Sequence, residues 1–205
     1  MSDKNDKACW YDKKNLPQQM LDGASGKLWA TLDKSDHWPT LKYFIDACKL
    51  NYECKTLLDV GCGAAALSEH IDLQYTGCDL PHIIDTVAKV RNPDNHYVAF
   101  DITQEDLSFM SNYDVIVMNA FIDVLEQPMV AMDRILSVAS KFVICHRQKI
   151  GDVTKVEKVK SYSGFSYGTT LGTSEIKECL EKHGFASIAT YPTIGNYYSF
   201  LLVKK

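Results

Sequence analysis

From Lys55 onward the chain alternates short aliphatic runs, each closed by a polar residue, with longer stretches whose apolar positions recur at helical spacing. "TLLDV", "QYTGCDL", "HYVAF", "YDVIVMN" and "KFVICH" have the length and continuity of buried strands. "AAALSEHI" and "HIIDTVAKV" fall between them as helices, and Pro128 opens another with Met132, Ile135, Leu136 and Ala139 on one face. Strands and helices in this rhythm predict parallel pairing with helices on both faces of the sheet. A last helix is expected from Thr173 or Ser174, with Ile176, Cys179, Leu180 and His183 on one face and a stop at Gly184. "FASIATY" and "YYSFLLV" follow with Gly195 and Asn196 between them, which predicts a closing antiparallel hairpin. The expected fold is α/β: a Rossmann-like, doubly wound, mostly parallel seven-stranded sheet. Before it, Leu41, Phe44, Ile45 and Cys48 mark a helix beginning near Pro39. Residues 1–50 are read as a segment and helix that pack on or cover the site, and 51–205 as the main domain.

Composition narrows the class. Of 205 residues, 46% are hydrophobic and 23% charged, the balance of one well-cored globular domain. A formal net charge of −4 argues against nucleic acid as a partner. No run approaches the roughly 18–20 apolar residues of a membrane span, and the charged start "MSDKNDKACWYDKKN" lacks the apolar core of a secretory signal. The seven cysteines (9, 48, 54, 62, 78, 145 and 179) are scattered without a Cys-x-x-Cys pair. That pattern indicates free thiols in a reducing cytoplasm and no metal site.

Five predicted strands end on a polar residue or run into one: Asp59, Asp79, Asp101, Asn119 and His146. In open α/β sheets ligands bind beyond the carboxyl ends of the strands. Gly61 and Gly63 would let a ligand approach the backbone, although a plain tight turn also accounts for them. The position three beyond Gly63 is Ala66, so a dinucleotide pattern is met only in its permissive form. Asp79, 18 positions after Gly61, suits the two hydroxyls of a ribose, and it equally suits a cap before Pro81. Asp101 with Ile102 can serve an adenine, or simply end a strand.

Together "LLDVGCGAAALSEHI", "YTGCDLP", "VAFDIT" and "YDVIVMNAFIDVLEQP" resemble the class I S-adenosylmethionine-dependent methyltransferases, over roughly Lys55 to His146. The resemblance implies S-adenosyl-L-methionine as cofactor and S-adenosyl-L-homocysteine as product. It implies that Asp59, Gly61, Cys62 and Gly63 line the methionine moiety, Asp79 and Leu80 the ribose, and Asp101 and Ile102 the adenine, with Asn119 near the methionine end. Ala65 stands where the family has a third glycine, and Ile122, Asp123 and Val124 replace its Leu-Glu-His. "NAFI" lacks the prolines of enzymes that methylate planar amines.

His146 is the first candidate for a base toward an alcohol acceptor and Asp123 the second. A histidine that caps its strand by bonding backbone is the alternative. Residues 147–172 are expected to form an acceptor-side insertion, with Arg147 pairing a carboxylate or phosphate. Tyr162 and Tyr167, with Trp10 and Tyr11 from the N-terminal segment, are expected to line or cover the acceptor. The insertion is loosely similar to methyltransferases of bacterial surface polysaccharides, which points to O-methylation of a small, hydroxylated, sugar-like molecule. Two other readings share the glycine turn: an NAD(P)-dependent oxidoreductase, and a module that binds S-adenosylmethionine without turnover.

Overall fold

The computed structural model describes residues 8–103, 106–162, 164–193 and 196–205. Gly195, expected between the last two strands, lies outside the described residues, as do residues 1–7 of the charged N-terminal stretch. Among the described residues nine strands form one sheet. β1 (Thr56–Val60), β2 (Gln74–Asp79), β3 (His96–Ala99), β4 (Val115–Asn119) and β5 (Phe142–Gly151) pair in parallel in the order β3-β2-β1-β4-β5. β8 (Phe185–Pro192) and β9 (Tyr197–Lys204) form the closing antiparallel hairpin, with β9 against β5.

The two strands beyond the expected seven come from the insertion. Residues 147–172 extend β5 and then form an antiparallel hairpin, β6 (Lys155–Ser161) and β7 (Gly164–Gly172). Lys149 pairs with Tyr197 of β9 on one side and Thr170 of β7 on the other. β7 therefore takes over the edge of β5 that β4 vacates at the Asn119–His146 pair. The hairpin stands directly beyond the carboxyl end of β4, and Thr169 Oγ1 ties it down by donating to the Leu125 carbonyl at 3.2 Å.

Alternating side chains feed two apolar layers. Leu57, Val115, Val117, Phe142 and Ile144 face α2 (Trp38–Tyr52) and the helix α3 (81–91), whose middle, Ile84–Ala88, winds as a π-helix. Leu58, Val60, Ile116, Met118, Val143 and Cys145 face α4 (Pro128–Val138) and α5 (Thr173–Lys182). Leu41, Phe44, Ile45 and Cys48 of α2 are fully or almost fully buried, so this helix belongs to the sheet's own core. A smaller cluster joins Leu16 of α1 (Leu16–Ala24) to Ala64, Ile83 and Val87, seating α1 over the glycine turn.

One expected helix is absent. After β1 the chain makes only a 3-10 turn at Ala66–Glu69, entered through Ala65 at φ 54°. All seven cysteines are free and buried. Among the described residues no helix is long and apolar enough to cross a membrane.

Candidate functional site

A cavity of about 970 Å³ opens at the carboxyl ends of β1, β2, β3 and β4. It brings together Gly61, Asp79, Leu80, Asp101, Ile102 and Asn119 from the strand ends. Tyr162 and Tyr167 from the hairpin line it too, as do Trp10 and Tyr11 from the N-terminal segment.

Gly61 turns at φ 72°, and a Cβ there would lie 2.4 Å from the Phe121 ring. The missing side chain thus makes room for the residue that follows β4. Gly63 turns at φ 53° beneath Met20 of α1, whose methyl would sit 2.9 Å from an added Cβ. Asp79 Oδ2 accepts the Gly63 N–H at 2.8 Å, and Oδ1 accepts the Leu80 N–H at 2.7 Å. Burial pushes its carboxyl up to about 6, so near neutral pH it is an anion with spare acceptor capacity toward the cavity.

Asp101 closes a local turn by accepting from the N–H and hydroxyl of Thr103. Burial, then the nearby Asp101 carboxylate, raises the Tyr11 hydroxyl, which sets the N-terminal segment beside the end of β3. The cover is aromatic. Tyr162 meets Trp10 at 5.6 Å and Trp29 at 6.0 Å between ring centroids, both edge-on. Two polar atoms at the wall are buried without a partner, Asn119 Oδ1 and Trp10 Nε1. An acceptor and a donor left bare in this way call for a ligand that supplies their complements.

Several expected residues lie elsewhere. Asp59 does not line the cavity: its side chain is buried, Tyr75 donates to it at 2.9 Å, and burial raises its carboxyl to about 7. Cys62 and Gly63 do not line the cavity either: the Gly63 N–H is held by Asp79, and the Cys62 thiol is buried in the α2 layer. His146 is likewise not at the wall. Its ring is 0% exposed, with Nε2 2.9 Å from His37 Nδ1 and Nδ1 2.7 Å from Ser199 Oγ. Burial, then the His37 and Arg147 charges, lower it to about 3, so it stays neutral near neutral pH. With both nitrogens taken, this ring cannot touch an acceptor in the cavity.

Asp123 stands in the 3-10 turn Ile122–Val124, between the wall residues Phe121 and Val124, and does not itself line the cavity. Its Oδ1 is buried without a partner, and burial raises it to about 6 against the pull of Arg147. Arg147 interrupts β5 at φ 63° and is half-buried, off the cavity wall.

Phe121, Met20 and His37 were not anticipated from the sequence. Phe121 directly follows the "MNA" strand end, but its partner is a hydrogen on Gly61. Met20 lies on a helix whose one readable signal is Pro17 in its first turn. His37 precedes the Trp38-Pro39 helix start, and nothing local indicates a contact 109 residues away.

The family described as "Methyltransferase domain" matches residues 58–143. No curated protein sequence matches the chain. Among solved structures, an S-adenosylmethionine-bound amino pentose methyltransferase from Micromonospora echinaspora superposes with TM-score 0.60 at 14% identity, over 84% of this chain and 92% of that one. The magnesium protoporphyrin IX methyltransferase of Synechocystis gives 0.59 at 15%, over 83% and 80%. Human N-acetylserotonin methyltransferase gives 0.61 at 14%, over 92% of this chain and 55% of its own. At these identities the superpositions establish a shared fold.

Proposed function

We propose, from the premise that this chain carries a class I S-adenosylmethionine-dependent methyltransferase domain, that it methylates an oxygen of a small, hydroxylated, sugar-like acceptor. One observation supports the reading above others. Gly61, Asp79, Asp101, Ile102 and Asn119 converge on a single cavity while the aromatic cover closes it from outside. The amino pentose methyltransferase among the similar structures supports a sugar-like acceptor.

When bound, the cofactor supplies an electrophilic methyl on a sulfonium sulfur. In this reading the Asp79 carboxylate accepts from the two ribose hydroxyls, and Ile102 with Asp101 receives the adenine edge. The bare Asn119 carbonyl accepts from the ammonium of the methionine part, and Gly61 lets that part lie against the backbone. Methyl transfer is an in-line displacement, so positioning supplies much of the rate. The cover of Trp10, Tyr162 and Tyr167 holds the acceptor in line and excludes water that would otherwise solvate it.

Asp123, the unpartnered carboxylate one residue from the wall, takes the base role once a turn of its side chain brings the buried Oδ1 to the acceptor's proton. His146 acts at one remove, as a positioning residue that fixes His37 beneath Arg147. Calorimetric titration with S-adenosylhomocysteine, with NAD⁺ as comparator, tests the cofactor half. Transfer of labelled methyl to hydroxylated rather than amino acceptors tests the acceptor half. Binding of NAD⁺ alone would discard the proposal.

A further inference from the structure

We infer that Arg147 and Lys149, laid over the ring of Tyr197, form a subsite for an anionic group of the acceptor, a phosphate or a carboxylate. The inference rests on the methyltransferase reading for the word acceptor, and on independent geometry for the anion.

The strand itself aims the two cations. Across the β5–β9 pair the register slips between Cys145 and Gln148. Cys145 faces the α4 and α5 layer, and so do Gln148 and Ile150. His146 faces α2, where it meets His37. Arg147 is the extra residue of a bulge, held at φ 63°, with its N–H on Ser199 Oγ at 3.5 Å. A left-handed conformation on a residue with a side chain is costly, and bulges of this kind re-aim side chains beside functional sites. Beyond the bulge Lys149 returns to the α2 face, opposite Tyr197.

Both cations use the same ring. The Arg147 guanidinium carbon lies 5.9 Å from the Tyr197 centroid and Lys149 Nζ lies 5.2 Å from it. A π-face stabilises a cation without neutralising it. Among the described residues neither forms an ion pair. Asp123 is the acid that feels both charges, and the histidines beside Arg147, His37 and His146, are neutral near neutral pH. The cluster therefore carries an excess of one positive charge, half-buried and held in place by aromatic and backbone contacts. An anion of fork-compatible shape is the complement this arrangement lacks.

Location ties the cluster to the cavity. His146 is the register partner of Asn119, whose carbonyl stands at the cavity wall, and Arg147 follows it directly. The Arg147 charge also reaches Tyr162 of the cover. An acceptor lying in the cavity could extend its anionic group past Asn119 toward Tyr197.

The test is calorimetry on the full chain, saturated with S-adenosylhomocysteine, titrated with inorganic pyrophosphate and separately with citrate at about 0.15 M ionic strength. Binding of at least one probe is expected, and the tighter one assigns phosphate or carboxylate as the source. R147Q and K149Q should each weaken it by about tenfold or more. K204Q removes a matched cation lying 4.8 Å from the Phe185 centroid, away from the bulge, and should change nothing. Absence of binding by wild type, or equal weakening by K204Q, would overturn the subsite. The homocysteine titration of each variant reports folding and the cofactor site separately. Its failure in wild type would strike the methyltransferase reading, while the probe titrations still decide the anion.

Discussion

The Asp79 carboxylate spans from the end of β2 to the glycine turn, accepting the Gly63 N–H at 2.8 Å. One side chain thus shapes the loop after β1 and also presents charge to the cavity. Asp79→Ala should lower affinity for S-adenosylhomocysteine by about 10- to 100-fold, the range for bonds to a charged group. Because the carboxyl titrates at about 6, affinity in wild type should fall as pH drops through that value, and this dependence should vanish in the variant. Unchanged affinity in Asp79→Ala, read by calorimetry, would remove the ribose role.

Gly61 and Phe121 form a matched pair, one surrendering the space the other fills. Gly61→Ala introduces a Cβ 2.4 Å from the ring at φ 72°, so both clash and backbone conformation oppose it. The expected loss is about 2–3 kcal/mol by denaturant unfolding. Gly61→Ala with Phe121→Leu should recover the clash and keep the backbone cost of about 1 kcal/mol. No recovery in the double variant would show that Phe121 is not the obstruction.

Asp59 is buried with a folded value of about 7 against an unfolded one near 3.9. The folded state holds this proton more tightly, so the contribution favours folding at low pH. It is lost as pH rises from about 4 through 7. Asp59→Asn keeps the shape and the Tyr75 contact, and should be more stable than wild type above pH 7 by on the order of 4 kcal/mol. The gap should shrink toward pH 4. A pH-independent difference in melting would contradict the burial argument.

The proposed roles of Asp123 and His146 predict different kinetic signatures. Asp123→Asn should cut kcat by about 100-fold with cofactor affinity unchanged, and should abolish a rise in rate through pH 6. His146→Gln should leave that rise in place. It should instead alter acid stability, because a histidine lowered to about 3 favours folding at neutral pH and loses that contribution as pH falls below its unfolded value. A collapse of turnover in His146→Gln with the Asp123 variant active would reverse the two roles.

Much of the site was legible because strand ends are set by hydrophobic period. "TLLDV", "QYTGCDL" and "YDVIVMN" place Asp79 and Asn119 beside Gly61 by simple topology. What failed depends on contacts distant in sequence. Asp59 turns to Tyr75 and His146 to His37, choices that no local pattern encodes. After Gly63 the chain enters its turn through Ala65 in the left-handed region, and only the 3-10 turn Ala66–Glu69 forms where a helix was expected. "KVEKVKS" has its two valines three positions apart, on opposite faces, and as an edge strand it is exposed along its length, so no period marked it as a core strand. α1 buries only Leu16 in the small cluster with Ala64, Ile83 and Val87 and sets Met20 over Gly63, contacts that its short sequence does not announce.

The bulge at Arg147 also changes how β5 must be read against any other sequence. Odd-numbered positions face α4 and α5 before it, even-numbered ones after it. Loss of this single residue would restore plain alternation and leave Gln148 on the α4 and α5 face and Lys149 on the α2 face. Kept without the bulge, the same residue would instead push Gln148 to the α2 face and drive Lys149 into the apolar layer. Chain length at this point therefore marks whether the strand carries the re-aimed arginine at all, and a gap in any alignment belongs at Arg147 itself.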